Sequence, residues 1–402
     1  VEKERLSLDS VRMPSPPMKS ILILCDSLPG ALTSTGAMVD ALRLELERRN
    51  YAVAIAGMGS EEVVKDYPWA VHAHGLKTGR MARRALTEFA ISVRLACRLV
   101  LAMLTRRLAR PDLIVLFTPS LFLSLTAAAL KSTTSCRVYM VQRDIVPDWL
   151  VASGHVKLGI ATSILFALKN FSLRRADRIG IECAENFAFF PVSFHSKIEI
   201  LHNWRDFDPG LDATEPASPH AVLIYGGRVG QVQGFDRLLR PFLKLAHPTA
   251  QLRIHCDERG RGEIESMGLP VDDLRRIDIR PMLDEKQFLV EATKAWFGIV
   301  TLSPQMQTHN IPGKMLAYLA AGIPVVGIGP RDAALGQSIR KLGVGHYMDA
   351  SDENGILDAL RELVDDPAGR ARAKSAVKRA RSVFSTASAT DMILDAMSGP
   401  TR

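Results

Sequence analysis

The sequence predicts an α/β chain of two Rossmann-like domains with a ligand cleft between them, on three observations. Its 402 residues are too many for one ordinary α/β core and comfortable for two of roughly 180–200 each. Short apolar runs alternate with helical periodicity from end to end, the signature of parallel sheets with crossover helices. Residues 206–220 (DFDPGLDATEPASPH) turn polar and rich in Pro, Gly and Asp, which divides the series with a linker. Two doubly wound sheets joined in this way face a cleft with the carboxyl ends of their strands.

Residues 1–17 (VEKERLSLDSVRMPSPP) read as a disordered leader, polar and without the apolar h-region of a secretory signal, and Met18 is a candidate start. A strand at 21–25 stops at the turn Pro29-Gly30, a helical period follows at 35–49, and 52–56 is the next strand. The charge-free run 113–130 has the length of a membrane span. Thr118-Pro119-Ser120 in its middle divides it instead into a strand (LIVLF) and a helix. Strands at 138–141, 178–181 and 198–201 complete a first domain over 18–205. Strands at 221–225, 252–255, 296–300 and 324–328 make a second domain over 221–370, and a basic helical stretch at 371–397 sends the tail 371–402 back to the first.

Apolar residues make up 47% of the chain and charged residues 23%, the balance of a folded globular protein. The net charge of +8 favours an anionic partner. Aromatics are few and no nucleic-acid motif accompanies the charge, so nucleic acid is not expected. The five dispersed cysteines lack any CxxC, which argues for a reducing compartment and against disulfides or a zinc site. No HExxH occurs, and His72 and His74 read as a surface or cleft pair.

Two segments carry chemistry. In 303–326 (SPQMQTHNIPGKMLAYLAAGIPVV) an irregular loop opens into a helix with Pro312 near its start and Lys314 in its first turn. A helix N-terminus with a lysine beside it attracts a diphosphate, whereas lysine there opposes the helix dipole if it has no ligand. The alternative is a solvated surface charge. In 225–239 (YGGRVGQVQGFDRLL), Gly226 and Gly227 follow a strand and let a ligand approach the backbone, and Arg228 grips a phosphate bidentately.

With Gln233-Gly234 and the run Pro312-Gly313-Lys314-Met-Leu-Ala-Tyr-Leu-Ala-Ala-Gly322-Ile-Pro324-Val, these segments resemble the donor half of retaining glycosyltransferases of family 4, which have the GT-B fold. Val141-Gln-Arg-Asp144-Ile-Val-Pro147-Asp is similar to that family's Arg-Asp-Leu-Trp-Pro, and His202-Asn203-Trp204-Arg-Asp206 to its Asn-Trp-x-Asp. Both are typical of the branch that elongates lipid-linked O-antigen and capsule repeats, such as fucosaminyl transferases. The likeness runs from about residue 18 to 398.

The resemblance implies transfer of a sugar from a nucleotide-diphosphate donor to a lipid-linked or oligosaccharide acceptor, without cofactor or metal. It places the acceptor in the first domain and the donor in the second. Catalysis falls to Asp144, Arg228 and Lys314. Donor binding falls to Gly226, Gly227, Arg228, Gln233, His309, Asn310, Ile311, Pro312, Gly313 and Lys314, and acceptor binding to Gly36, Arg143, Asp144 and Asp148. Asp144 orients a hydroxyl or, alternatively, caps a helix. Two family glutamates are replaced by His309 and Ala317, and Ala317 cannot hold a ribose diol. No DxD stands at a strand end; Asp272-Asp273 and Asp365-Asp366 read as solvated charge.

Within 80–110, Arg80, Arg83, Arg84, Arg94 and Arg98 fall within about 100° of a helical wheel that is otherwise apolar. Such a helix lies on an anionic membrane, or is a core helix with one wet face. The expected location is cytoplasmic, at the inner membrane surface. The other readings are a GT-B-fold sugar-nucleotide epimerase or hydrolase, and a donor-impaired scaffold subunit.

Overall fold

The computed structural model describes residues 18–30, 33–72, 81–152, 156–157, 159–212, 220–230, 233–267, 276–305 and 310–398. The leader, His74, Arg80, residues 213–219 of the linker, Asp272-Asp273 and His309 lie outside the described residues, as do the side chains of Arg83 and Arg84.

The first domain strings together β1 (Ser20–Cys25), α1 (Ser34–Arg48), β2 (Ala52–Gly59), α2 (Glu61–Val64), β3 (Trp69–His72), α3 (Met81–Leu104), β4 (Leu113–Phe117), α4 (Leu123–Thr134), β5 (Arg137–Gln142), α5 (Asp148–Ala152), α6 (Ile160–Arg175), β6 (Arg178–Ile181) and β7 (Ile198–Ile200). The second continues with β8 (Ala221–Gly226), α7 (Asp236–Lys244), β9 (Ala250–Cys256), α8 (Glu258–Glu265), β10 (Ile277–Pro281), α9 (Glu285–Ala292), β11 (Phe297–Thr301), α10 (Gly313–Ala320), β12 (Val325–Gly329), α11 (Ala334–Leu342), β13 (Gly345–Asp349), α12 (Glu353–Asp365), α13 (Pro367–Ala380) and α14 (Thr386–Ser398).

Both sheets are parallel, in the orders β3-β2-β1-β4-β5-β6-β7 and β10-β9-β8-β11-β12-β13. The chain reverses direction across each sheet between β1 and β4 and between β8 and β11, which are the switch points where such folds bind ligands. The inner strands are continuous apolar runs because helices cover both faces. In the first domain α3, α4 and α6 bury one face through Leu95, Leu99, Leu123, Ala127 and Leu173. The other face is covered by α1 and by α14, whose Ala389, Ile393 and Ala396 join Val39, Leu42 and Leu46. In the second domain α7, α8 and α12 cover one face, and α9, α10, α11 and α13 the other.

The run 113–130 is a strand and a separate helix, and no helix among the described residues is long and apolar enough to cross a membrane. The expected helix at 371–397 is two helices. The chain between α13 and α14 bonds instead to the residue just ahead of the linker: Arg205 N donates to Phe384 O at 3.0 Å and Thr386 N to Arg205 O at 3.3 Å. Phe384 is buried at that crossing. Arg381 steadies it by donating to Leu319 O and Ala320 O at the end of α10 and pairing with Asp212 of the linker.

Candidate functional site

The second domain's switch point is built around one buried aromatic ring. Tyr225 is the fully buried penultimate residue of β8, and Lys314 enters from the first turn of α10. The ammonium lies 3.9 Å from the Tyr225 ring centroid and donates to its hydroxyl at 2.6 Å. The hydroxyl in turn donates to Arg228 O at 2.5 Å. One chain of hydrogen bonds therefore joins the lysine to the loop that follows β8. Burial pushes the Lys314 ammonium down to about 7.

The two glycines of the loop serve different ends. Gly227 adopts φ +122°, closed to most side chains, and a Cβ there would stand 2.9 Å from Lys314 Cε. Gly226 is small for packing: a Cβ there would meet the Phe288 ring at 2.3 Å, so its side is closed by α9. Arg228 is exposed and, with Gln233, lines an open cavity of ≈ 1050 Å³ bordered by Asp257, Arg259 and Glu263 of the β9–α8 side. Ahead of α10, Ile311 is buried, Pro312 is the N-cap and Gly313 is exposed. Asn310 Oδ1 is buried without a hydrogen-bond partner among the described residues. Ala317 is half-buried and packs on the apolar cluster beneath α10.

Across the cleft, Gly36 sits in the first turn of α1 with its amide capped by Thr33 Oγ1 at 3.0 Å. Arg143 is tied to that turn: its Nη1 reaches Met38 Sδ at 2.9 Å, and its amide donates to Thr118 Oγ1 at 2.9 Å. Asp144 is exposed and stands ahead of α5, whose first residue is Asp148, so it does not cap that helix. Asp148, expected to bind the acceptor, is held by the protein itself. Its Oδ2 accepts from the buried Lys169 ammonium at 2.6 Å, and Lys169 also donates to Phe189 O at 2.6 Å.

Sequence reasoning missed Tyr225 and Glu182. Tyr225 reads as one more apolar strand residue, and only its place before Gly226-Gly227 marks it. Glu182 follows β6 and is buried where the two domains meet. Burial pushes its carboxyl up to about 6, against the opposing pull of the Arg143 guanidinium and of the Ile311 amide. Among the described residues no three His, Cys, Asp or Glu side chains gather as a metal site.

No protein-family model matches the chain. It is 24% identical over 278 residues, 65% of its length, to a probable glycosyltransferase WbjE of Pseudomonas aeruginosa, covering 68% of that protein. Among solved structures it resembles a glycosyltransferase from Rickettsia africae at TM-score 0.68 and 11% identity, over 96% of this chain and 100% of that one. Sucrose-phosphate synthase from Thermosynechococcus elongatus aligns at TM-score 0.67 and 15% identity, over 94% and 98%. Anabaena HepE in complex with UDP and glucose aligns at TM-score 0.62 and 14% identity, over 94% and 99%. These likenesses span both domains, and the chain has the two-Rossmann GT-B fold.

Proposed function

We propose that the protein is a glycosyltransferase that moves a sugar from a nucleotide-diphosphate donor, bound at the β8–α10 switch point, to a saccharide acceptor on the first domain. The observation that carries this reading is Lys314, a half-buried lysine at a helix N-terminus, set against the glycine loop and Arg228. When the anomeric C–O bond breaks, its electron pair passes to the leaving β-phosphate oxygen. Lys314, Arg228 and the α10 dipole meet that charge without a metal. The relative from Pseudomonas and the UDP-bound neighbour support a nucleotide-sugar donor. Retention of anomeric configuration, with Asp144 orienting a hydroxyl, belongs to the same reading.

Lys314 is half titrated near pH 7, and a bound diphosphate favours the ammonium, so binding above pH 7 takes up a proton. Calorimetry with UDP, GDP and dTDP at pH 8, in buffers of different ionisation enthalpy, is expected to show uptake of about one proton for the preferred nucleotide. Lys314→Met is expected to abolish it. Equal uptake in both proteins would remove Lys314 from the phosphates. Absence of binding by all three nucleotides would favour a scaffold.

We further infer a lipid-linked acceptor of bacterial surface polysaccharide assembly, reached at the cytoplasmic face of the inner membrane. Helix α3 supports this. It buries Ile91, Leu95 and Leu99 and leaves Leu86, Phe89, Val93, Leu101 and Leu104 exposed on the opposite side, with Arg94 exposed beside them. An apolar stripe edged by positive charge suits an anionic bilayer. Arg98 is spent within the fold, donating to Pro68 O at 2.7 Å, so Arg94 is the cleaner probe. Arg94→Ser is expected to weaken binding to anionic vesicles by about fivefold, the equivalent of about 1 kcal/mol. Equal flotation of the parent on neutral and anionic vesicles would overturn the charge argument.

A further inference from the structure

The contact between the two domains includes a main-chain grip that the phosphate chemistry does not use. Glu182, immediately after β6, and Asn203, just ahead of the linker, are both buried. Glu182 Oε1 accepts from the Ile311 amide at 2.7 Å and from Asn203 Nδ2 at 2.5 Å. Asn203 Nδ2 also donates to Ile311 O at 3.2 Å. Both polar groups of one peptide residue of the second domain are therefore held by side chains of the first. Ile311 itself is buried and stands immediately before the N-cap of the helix that carries Lys314.

The residues flanking Asn203 fix the grip in place. His202 bonds through Nδ1 to Glu182 O at 2.8 Å, which locks the main chain of the carboxylate's own residue. Trp204 donates through Nε1 to Met38 O at 3.0 Å, in the helix that also carries Gly36. Three successive residues thus connect the first turns of α1, the Glu182 carboxylate and the entrance to α10. A carboxylate is a costly choice for a buried contact that a neutral acceptor could make, unless the amide it accepts from must be held firmly.

We propose that Glu182 and Asn203 form a clasp that positions the start of α10, and with it Lys314, against the first domain. The role rests on the donor reading given above. Glu182 and Asn203 are positioning residues: neither needs to touch the donor, and both act through the peptide of Ile311. With the clasp shut, the phosphate-facing lysine is presented at a fixed distance from the acceptor side. With it open, α10 keeps its fold but loses its register across the cleft.

The test uses the full chain and two independent readouts. The first is amide hydrogen exchange of the segment containing Ile311. Glu182→Ala is expected to speed it at least about tenfold while β8 and β11 stay protected, because the Ile311 amide loses its acceptor. Glu182→Gln keeps an acceptor oxygen and is expected to stay within about threefold of the parent. The second readout is the affinity for UDP, GDP or dTDP, whichever the parent binds. Glu182→Ala and Asn203→Ala are each expected to weaken it about tenfold, with rescue in Glu182→Gln. In a Lys314→Ala background the same substitutions are expected to add little, since they act through that lysine. Unchanged exchange at Ile311, or losses that add in full to that of Lys314→Ala, would overturn the clasp. If the parent binds none of the three nucleotides, the donor reading falls and takes the positioning role with it. The exchange result still reads whether the grip exists.

Discussion

Replacing Lys314 with alanine is expected to slow sugar transfer by roughly 30–1,000-fold, or about 2–4 kcal/mol of transition-state stabilisation, without lowering thermal stability. The kinetic loss follows from geometry. The ammonium stands at the N-terminus of α10 and is held by Tyr225, so it meets the leaving diphosphate without first reorganising. The stability expectation follows from linkage. Burial lowers the Lys314 pKa to about 7 from 10.5 in the unfolded chain. Between those values the unfolded state binds more protons, so the lysine costs the fold stability at pH 7, and that cost fades as pH rises towards 10.5. Removing it relieves the cost at neutral pH. Steady-state kinetics paired with thermal melts at pH 7 and pH 9 check both halves. A melting point that falls in step with activity would make Lys314 a structural residue.

The second large effect is expected at Asp148, on stability and not on acceptor binding. Asp148→Ala takes the counter-charge from Lys169, whose side chain is only 4% exposed and whose other partners are Phe189 O and the face of Phe190. Breaking a buried pair from one side costs on the order of 3–5 kcal/mol, because the remaining charge is stranded. Denaturant titration is expected to show that loss, and a second substitution, Lys169→Met, is expected to restore most of it. An acceptor-binding aspartate would behave differently: Asp148→Ala would raise the acceptor KM and leave the denaturation midpoint where it was.

The parts of the fold legible in the sequence were those in which local chemistry and tertiary role agree. Inner strands such as Leu113–Phe117 are unbroken apolar runs because both of their faces are covered. The strands that went unread, Trp69–His72, Ile277–Pro281 and Gly345–Asp349, are three of the four edge strands, where half-exposed residues interrupt the apolar pattern. Lys314 was legible because a Pro-Gly helix start is a local signal. Lys169 stands well along the chain from Asp148, and Glu182 far from Ile311, so the meaning of each pair appears only when the sheet brings them together. The helix break between α13 and α14 was invisible for the same reason: the carbonyl and amide that interrupt it belong to Arg205.

Helix α14 has a consequence for biogenesis. It supplies Ala389, Ile393 and Ala396 to the core of the first domain, yet it is made after the whole of the second. At about 5–20 residues per second the ribosome finishes the first sheet roughly 10–40 s before α14 emerges. During that interval Val39, Leu42 and Leu46 lack the cover of α14, and the nascent domain carries an uncovered apolar face. The second domain has all its strands and helices in one stretch and closes first. The order of completion is therefore the reverse of the order of synthesis, and the core of the first domain closes only when α14 reaches back to it.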